Sequence, residues 1–370
     1  MEYFNMKAVS LFSGAGGMDV GFKRAGFEVM AANEIDTYAC QTFRANHAGT
    51  TLYEGNITSN LQALGSFKNI DVVFGGPPCQ GFSVAGKMDA DDPRSQLIFS
   101  FADVVDLIKP RAFVMENVKA LGSLEKFAEV RRKLMARFSN AGYAVTVTTL
   151  NAKDLGIPQS RERVFFIGFK QGVNPINAAS FRKYQATPPT LREVLSPLGK
   201  AGTQTNNKVC KAKITLALKP VLRQSPYAGM LFNGQGRPLN PDGWASTLPA
   251  SMGGNRTPII DEAHLFDAAK PWVEDYHRHL MKGGKPHGTN DAPMSLRRLT
   301  VDEAALLQGF PMDYRFCGSQ SKVFSQIGNA VPCRLAQVVA EVVYRVLERS
   351  GVHQEDGYLT GQNMELKFAC

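Results

Sequence analysis

Between residues 7 and 169 short apolar runs alternate with amphipathic stretches, and that alternation restricts the chain to few architectures. Residues 7–13, 27–32, 71–74, 112–115, 144–150 and 164–169 read as strands, whereas 18–24, 37–46, 97–108 and 124–138 read as helices. Strands separated by helices predict an α/β fold: a mostly parallel sheet with both faces covered. Ligands of such sheets bind outside the carboxyl ends of the strands. From residue 171 the chain turns to Pro, Gly, Asn and Thr with short apolar runs, and Asn233-Gly234, Asp242-Gly243 and Gly253-Gly254 are turn signals. No sustained helical period is expected there. Regular structure resumes in a helix over 300–307, where Thr300 and Glu303 have capping-box spacing, and in a helix over 333–348 that should end at Gly351. The 351–370 tail is polar and is expected to fray.

Unusual polar residues cluster at the predicted strand ends. After the run Asp71-Val72-Val73-Phe74 comes Gly-Gly-Pro-Pro-Cys-Gln-Gly-Phe-Ser over 75–83. The Pro-Pro pair fixes two φ angles and removes two amides, so the chain must leave the sheet and hold Cys79 on a stiff loop. Such a thiol is either a nucleophile or a small buried hydrophobe. Strand 112–115 runs into Glu116-Asn117-Val118, and Gln159-Ser160-Arg161-Glu162-Arg163 precedes the strand at 164. At the first strand end, Phe12-Ser13-Gly14-Ala15-Gly16-Gly17 makes a tight glycine-rich turn, with Glu34 about twenty residues on. That turn alone fits a dinucleotide as well as other adenosine cofactors. No Lys-Ser/Thr follows it, so it is not a phosphate-binding P-loop.

Charge and cysteine content narrow the function classes. Net charge is +9, and residues 171–296 hold 15 Lys and Arg against 8 Asp and Glu, most of the surplus. This is either a solvated face or a surface for phosphates. Cysteines 40, 79, 210, 317, 333 and 370 show no C-x-x-C pairing, which gives no pattern for a metal or a disulfide framework. No signal-peptide pattern and no 18-residue apolar span occur, so a cytoplasmic chain with no membrane contact is expected.

These blocks, in this order, resemble the DNA cytosine-5 methyltransferase family of bacterial modification enzymes. Residues 297–311, from Arg-Arg-Leu-Thr to Gln-Gly-Phe-Pro, and the Ile327-Gly-Asn-Ala-Val-Pro332 block extend the likeness, which covers 7–170 and 296–345. The resemblance implies a Rossmann-like S-adenosylmethionine-dependent methyltransferase sheet with a second, smaller, loop-rich DNA-recognition domain. The catalytic domain would comprise 1–170 and 297–350, the recognition domain 171–296. It further implies that the last helix packs back beside the first strand.

The resemblance also assigns roles. Cys79 would add to C6 of a cytosine flipped out of duplex DNA, making C5 nucleophilic. Glu116 would contact N3, with burial raising its pKa toward neutrality, and Arg163 would contact O2; Arg161 would orient Glu116 or hold DNA. Phe12 would stack on the adenine of S-adenosylmethionine and Glu34 would accept its ribose hydroxyls; Ser13, Gly14, Gly16, Ile35, Asn56, Ile57, Leu97, Asn329 and Val331 match further cofactor positions. The family usually has Asp where this chain has Asn56, which predicts weaker binding. Residues 80–96 have the composition of a mobile loop, and Gln80, Ser83 and Lys87 would touch DNA. Thr247 and Leu248 resemble the Thr-plus-aliphatic pair of the family's recognition domains, beside Arg237, Asn255 and Arg256 as base or phosphate contacts. The tRNA-methylating relatives carry a Cys-Phe-Thr signature absent from this chain. A monomer acting on duplex DNA at the nucleoid is expected, with room for a cognate restriction endonuclease sharing its target.

Overall fold

The computed structural model describes residues 6–78, 96–171 and 176–362, with side chains to residue 350. The N-terminal part runs β1 (Met6–Leu11), α1 (Gly17–Arg24), β2 (Phe27–Glu34), α2 (Thr37–Asn46), β3 (Thr51–Glu54), α3 (Ile57–Gly65), β4 (Val72–Gly75), α4 (Leu97–Ile108) and β5 (Ala112–Val118). It continues through α5 (Lys119–Ser123), α6 (Ala128–Asn140), β6 (Tyr143–Asn151), β7 (Gln159–Ser160) and β8 (Glu162–Lys170). Seven of these strands form one sheet, ordered β3-β2-β1-β4-β5-β8-β6. The first five are mutually parallel. β8 alone is reversed, antiparallel to β5 on one side and to β6 on the other.

That reversal positions the site. Parallel strands bring only their carboxyl ends to one edge, whereas β8 brings its amino end there. Glu116, near the end of β5, lies opposite Phe165, and Val118 lies opposite Arg163. Two chain segments running in opposite directions thereby meet at one corner.

Period-two alternation divides the strand side chains between two cores. One face gathers Ala8, Val72, Phe74, Val114, Phe165 and Ile167 against Met18 and Phe22 of α1. The same core takes in Leu335, Val338, Val339 and Val342 of α12 (Cys333–Gln362). The other gathers Val9, Leu11, Val73, Phe113, Met115 and Phe166 against Phe101 and Val105 of α4 and Leu134 and Phe138 of α6. Burial on both faces is why these strands read as continuous apolar runs. Each such side chain contributes about 1.5–3 kcal/mol. α12 lies hard against α1: a Cβ added to Gly21 would fall 2.5 Å from Gln337 N and 2.7 Å from Cys333 O, so only glycine permits this approach. Both ends of the chain therefore build the same half of the fold, as expected.

The remaining elements are α7 (Leu191–Leu195), β9 (Leu216–Val221), β10 (Met230–Phe232), β11 (Ala245–Ser246), β12 (Ile259–Asp261), α8 (Glu262–Phe266), α9 (Trp272–Met281), β13 (Leu296–Arg298), α10 (Val301–Leu307) and α11 (Gln320–Asn329). Two-stranded pairs β9–β10, β12–β13 and β7–β11 replace a large sheet, and β13 spans position 296/297. A separate core of Leu216, Leu231, Phe232, Ile259, Val273, Tyr276, Leu280 and Leu296 supports the basic stretch. Two expectations need correction here. Helical periodicity does occur, since α9 buries Val273, Tyr276, His277 and Leu280 at i, i+3, i+4 and i+7 spacing. The last helix does not stop at Gly351 but runs on to Gln362. One interior glycine costs only about 0.5–1 kcal/mol relative to Ala, too little to end a helix anchored by its first turns. The Thr300–Glu303 capping box forms as expected: Glu303 N donates to Thr300 Oγ1 and Thr300 N to Glu303 Oε2, both at 3.0 Å. No helix among the described residues is long and apolar enough to cross a membrane.

Candidate active site and DNA cleft

The corner where β4, β5 and β8 meet carries three of the expected groups. Cys79, Gln80, Ser83 and Lys87 lie outside the described residues, but the stem leading to them is fixed. Asn117 Nδ2 donates to Pro77 O at 3.1 Å, and a Cβ on Gly76 would stand 2.8 Å from Glu116 Oε2. The chain thus leaves β4 directly over the Glu116 carboxylate. Glu116 is 8% exposed and pairs with Arg163 Nε at 2.9 Å. Burial pushes its pKa above the ordinary carboxylate value, although Arg163 and Arg161 pull the other way. The carboxyl can therefore hold a proton at a higher pH than a surface glutamate, as expected from its strand-end position. The Arg163 guanidinium lies beside it, where an oxyanion could be met.

Arg161 is 2% exposed and does something different from contacting DNA. Its Nη1 donates to Leu248 O at 3.0 Å and its Nη2 to Gly328 O at 2.9 Å. It acts electrostatically on Glu116 while tying the sheet edge to the segment after β11 and to α11. Gln159 and Gln308, which fall in the sequence blocks without an assigned role, complete this buried polar seam. Gln159 Nε2 donates to Gln308 Oε1, Gln308 Nε2 to Ile327 O, and Leu248 N to Gln159 Oε1. Their blocks are legible in the sequence, but only three-dimensional proximity shows that the two glutamines meet.

The cofactor positions line the neighbouring carboxyl ends. Leu11 of β1 pairs with Asn33 of β2 and Gly75 of β4, so Phe12, Glu34 and Gly76 each lie one step beyond the same line. Phe12 takes a left-handed conformation, φ 54°, rare for an aromatic residue and worth a functional reading. Gly14 donates from N to Glu34 Oε2 at 2.7 Å, while Glu34 Oε1 accepts from Ile35 N and Asp36 N. Burial raises the Glu34 pKa despite these three amides. Toward the open side, a Cβ on Gly14 would meet nothing within 4 Å and Ile35 is 64% exposed; the Ser13 hydroxyl is buried with no partner among the described residues. A flat apolar face, an acidic acceptor and an orphaned hydroxyl fit a nucleoside such as that of S-adenosylmethionine. Leu97 packs on the same core as Phe12, Ile57 is buried, Val331 lies beneath Gly17, and Asn329 is exposed at the end of α11. Asn56 is the N-cap of α3, its Oδ1 accepting from Thr58 N at 3.1 Å. Asn and Asp cap about equally well, which explains locally why the chain tolerates Asn.

A cleft of about 700 Å³ opens beside this edge, between Ser160 and Glu162 on one side and Arg237, Thr247 and Arg256 on the other. Met230, Gln235 and Ser251 also line it, and sequence reading missed them. Asn255 is exposed nearby, its carbonyl accepting from Gly236 N. Leu248 corrects an expectation: its side chain is fully buried in a core and cannot touch DNA directly. Thr247 is exposed, with Oγ1 donating to Ser160 O at 2.9 Å.

Comparison with known proteins is consistent with this geometry. The family model for C-5 cytosine-specific DNA methylase matches residues 6–345. The Type II methyltransferase M.NgoPII of Neisseria gonorrhoeae is 35% identical over 362 residues, 94% of this chain and 98% of that protein. The Type II methyltransferase M1.HphI of Haemophilus parahaemolyticus is 34% identical over 351 residues, 91% of this chain and 86% of that one. A DNA modification methyltransferase encoded within an E. coli prophage superposes with a TM-score of 0.64 at 24% identity, over 93% of this chain and 99% of that one. S. pombe Dnmt2 superposes equally, TM-score 0.64 at 19% identity over 93% and 99%; these two likenesses show a shared fold.

Proposed function

The chain belongs to the C-5 cytosine-specific DNA methylase family, and from that membership we propose how its residues divide the reaction. The protein is an S-adenosylmethionine-dependent DNA cytosine-5 methyltransferase. Cytosine C5 is a poor nucleophile until a thiolate adds to C6. Cys79 forms that S–C6 bond, and the ring π pair moves to give enamine character at C5. Protonated Glu116 donates to N3 while Arg163 meets the charge on O2. S-adenosylmethionine, when bound, supplies the electrophilic methyl group that C5 takes. Loss of the C5 proton to water, with the N3 proton returned to Glu116, then expels the Cys79 thiolate and restores the aromatic ring. Phe12, Ser13, Gly14, Gly16, Glu34, Ile35, Asn56 and Ile57 would hold the cofactor, with Leu97, Asn329 and Val331 around them.

The target base reaches Cys79 only by leaving the duplex. Arg237, Thr247, Asn255 and Arg256 read or anchor the DNA from the 171–296 region, which acts as the recognition domain beside a catalytic domain of 1–170 and 297–350. Gln80, Ser83 and Lys87 contact the DNA after Cys79. Arg161 positions Glu116 by holding the seam behind it. The enzyme works as a monomer in the cytoplasm, at the nucleoid, and modifies the site that a cognate restriction endonuclease would cut.

One observation carries the residue assignment: the buried Glu116–Arg163 pair lies directly under the stem of the Cys79 loop. Bisulfite sequencing of DNA from cells expressing the chain tests it. A single protected sequence context is expected, lost in Cys79→Ser while DNA binding persists. Protection that survives Cys79→Ser would remove Cys79 from the chemistry.

A further inference from the structure

We propose that Tyr314 and His47 are positioning residues for the cofactor loop, holding its Ala15–Gly16 peptide from behind so that its front face is shaped for S-adenosylmethionine. The inference rests on the reading that residues 12–16 bind that cofactor.

Tyr314 reaches the loop from a distant part of the chain. It follows the Gln308-Gly309-Phe310-Pro311 block, is 8% exposed, and donates its hydroxyl hydrogen to Ala15 O. His47 Nε2 stands 2.9 Å from the same phenolic oxygen. Because the hydroxyl hydrogen is already given to Ala15, the imidazole must be the donor, with its proton on Nε2. Nδ1 is buried with no partner among the described residues. A second proton there would face nothing, and burial, aided by Lys23, pushes the His47 pKa down to about 3. The ring is therefore neutral at working pH, and the Ala15–Tyr314–His47 chain has a single arrangement of protons.

The pair is also a steric wall. Gly16 has φ 85°, and a Cβ there would lie 2.3 Å from His47 Nε2 and 2.8 Å from the Tyr314 hydroxyl. The wall itself is braced. Phe43 stacks on His47 with ring centroids 4.4 Å apart, and Phe310 and Phe316 pack on Tyr314 at 4.8 and 5.2 Å. Next to Tyr314 the chain is stitched to α2: Asn46 Nδ2 donates to Arg315 O and accepts at Oδ1 from Arg315 N, both at 2.9 Å, and Cys317 N donates to Thr42 Oγ1 at 2.8 Å. On the loop's other side Gly16 N donates to Ser13 O and Gly14 N to Glu34. The Ala15–Gly16 peptide is thus gripped at its carbonyl by Tyr314 and at its amide by Ser13, which leaves Gly14 facing open space. Losing the phenolic hydroxyl would strand the Ala15 carbonyl and the His47 N–H in a buried site and free that peptide plane to rotate.

The experiment uses the full chain as wild type, Tyr314→Phe, His47→Gln and His47→Ala. Calorimetric titration gives the S-adenosylmethionine Kd, and methyl transfer to saturating duplex DNA gives kcat and the cofactor KM. Tyr314→Phe should raise Kd and KM about tenfold, the effect of one buried hydrogen bond left unmade. Its kcat at saturating cofactor should stay within about twofold, because binding rather than chemistry is lost. His47→Gln keeps an N–H within reach of the phenol and should bind as wild type, whereas His47→Ala should weaken binding several-fold. Hydrogen exchange of the Gly16 amide should quicken in Tyr314→Phe and His47→Ala only. Wild-type affinity in Tyr314→Phe, a fall in kcat with Kd unchanged, or equal damage from both His47 substitutions would overturn the proposal. Should Tyr314→Phe fail to fold, the two His47 variants decide it alone with Tyr314 in place. A wild-type chain that binds no S-adenosylmethionine would instead overturn the reading of the loop.

Discussion

The carboxyl edge of the sheet and the cleft wall from the 171–296 region hold their polar side chains in opposite ways. At the edge, Glu116 and Arg163 are mostly buried, paired to each other, and set by strand register. On the cleft wall, Arg237, Thr247 and Arg256 are exposed, and what is held is the backbone beneath them. Ser160, Gln159 and Arg161 grip the 247–248 segment through Thr247 Oγ1, Leu248 N and Leu248 O. On the proposed roles, the difference would separate fixed chemistry from replaceable reading. A reacting atom needs donors aimed before it arrives. A recognition surface can exchange its outward side chains as long as the scaffold under them stays put.

The sharpest way to break that contrast is at Glu116. Glu116→Gln should slow single-turnover methyl transfer about 10²–10⁴-fold, the usual contribution of a positioned acid or base, with cofactor affinity unchanged. In the wild type the rate should fall as pH rises through the raised Glu116 pKa, since the carboxyl then gives up the proton it donates; the Gln variant should lack that limb. An unchanged rate with collapsed DNA affinity would make Glu116 a binding residue. Next in size is Asp19, a fully buried carboxylate on α1 beside the Ser10 hydroxyl. Burial, above all, raises its pKa to about 7. With a folded pKa above the unfolded one, the folded chain binds the extra proton; stability is full below pH ~4 and is lost as pH rises through about 7. Asp19→Asn should remove that slope, so the stability of the variant relative to wild type should rise between pH ~4 and pH ~8, read from denaturant midpoints at several pH values. No rise over that range would mean Asp19 ionises without penalty.

On the cleft side smaller, divisible effects are expected. Arg237→Ala and Arg256→Ala should each follow one of two patterns: about 1–3 kcal/mol lost at one base position, or uniform weakening with the salt slope lowered by about one. If either abolished methyl transfer on all DNA at saturating concentration, the separation of reading from chemistry would fail. The smallest effect belongs to Asn56→Asp. The carboxylate should still cap α3 and accept more strongly from a cofactor amine, so S-adenosylmethionine should bind equally or a few-fold tighter by calorimetry. Markedly weaker binding would show that the neutral amide suits its surroundings.

The sheet edge was largely legible in the sequence because it is built by local rules. Apolar runs of strand length place Phe12, Glu34, Glu116 and the Cys79 stem at strand ends without knowledge of any contact. What could not be read was set by partners far along the chain. The reversal of β8, which brings Arg163 to the corner, depends on the β6–β8 hairpin rather than on composition. Arg161 reads from the sequence as orienting Glu116 or holding DNA; that it also donates to carbonyls at 248 and 328 is visible only in the fold. Tyr314 carries no signal of its own in the sequence, and its hydroxyl serves a peptide 299 positions away. The α9 periodicity was present in the sequence but lay among turn signals, and Gly351 was given more weight as a stop than one glycine carries.

The packing of α12 on α1 has a consequence for how the protein is made. At about 5–20 residues per second, roughly 15–60 s pass between synthesis of the two helices. Throughout that interval Met18 and Phe22 have no α12 to cover them, and the loop ahead of α1 has no Tyr314 behind it. The nascent chain can assemble much of its sheet but cannot close this core. A prematurely terminated product would expose the same apolar stripe, marking it for chaperones or proteases. Translation of the final helix, rather than of any catalytic residue, thus becomes the event that licenses the enzyme.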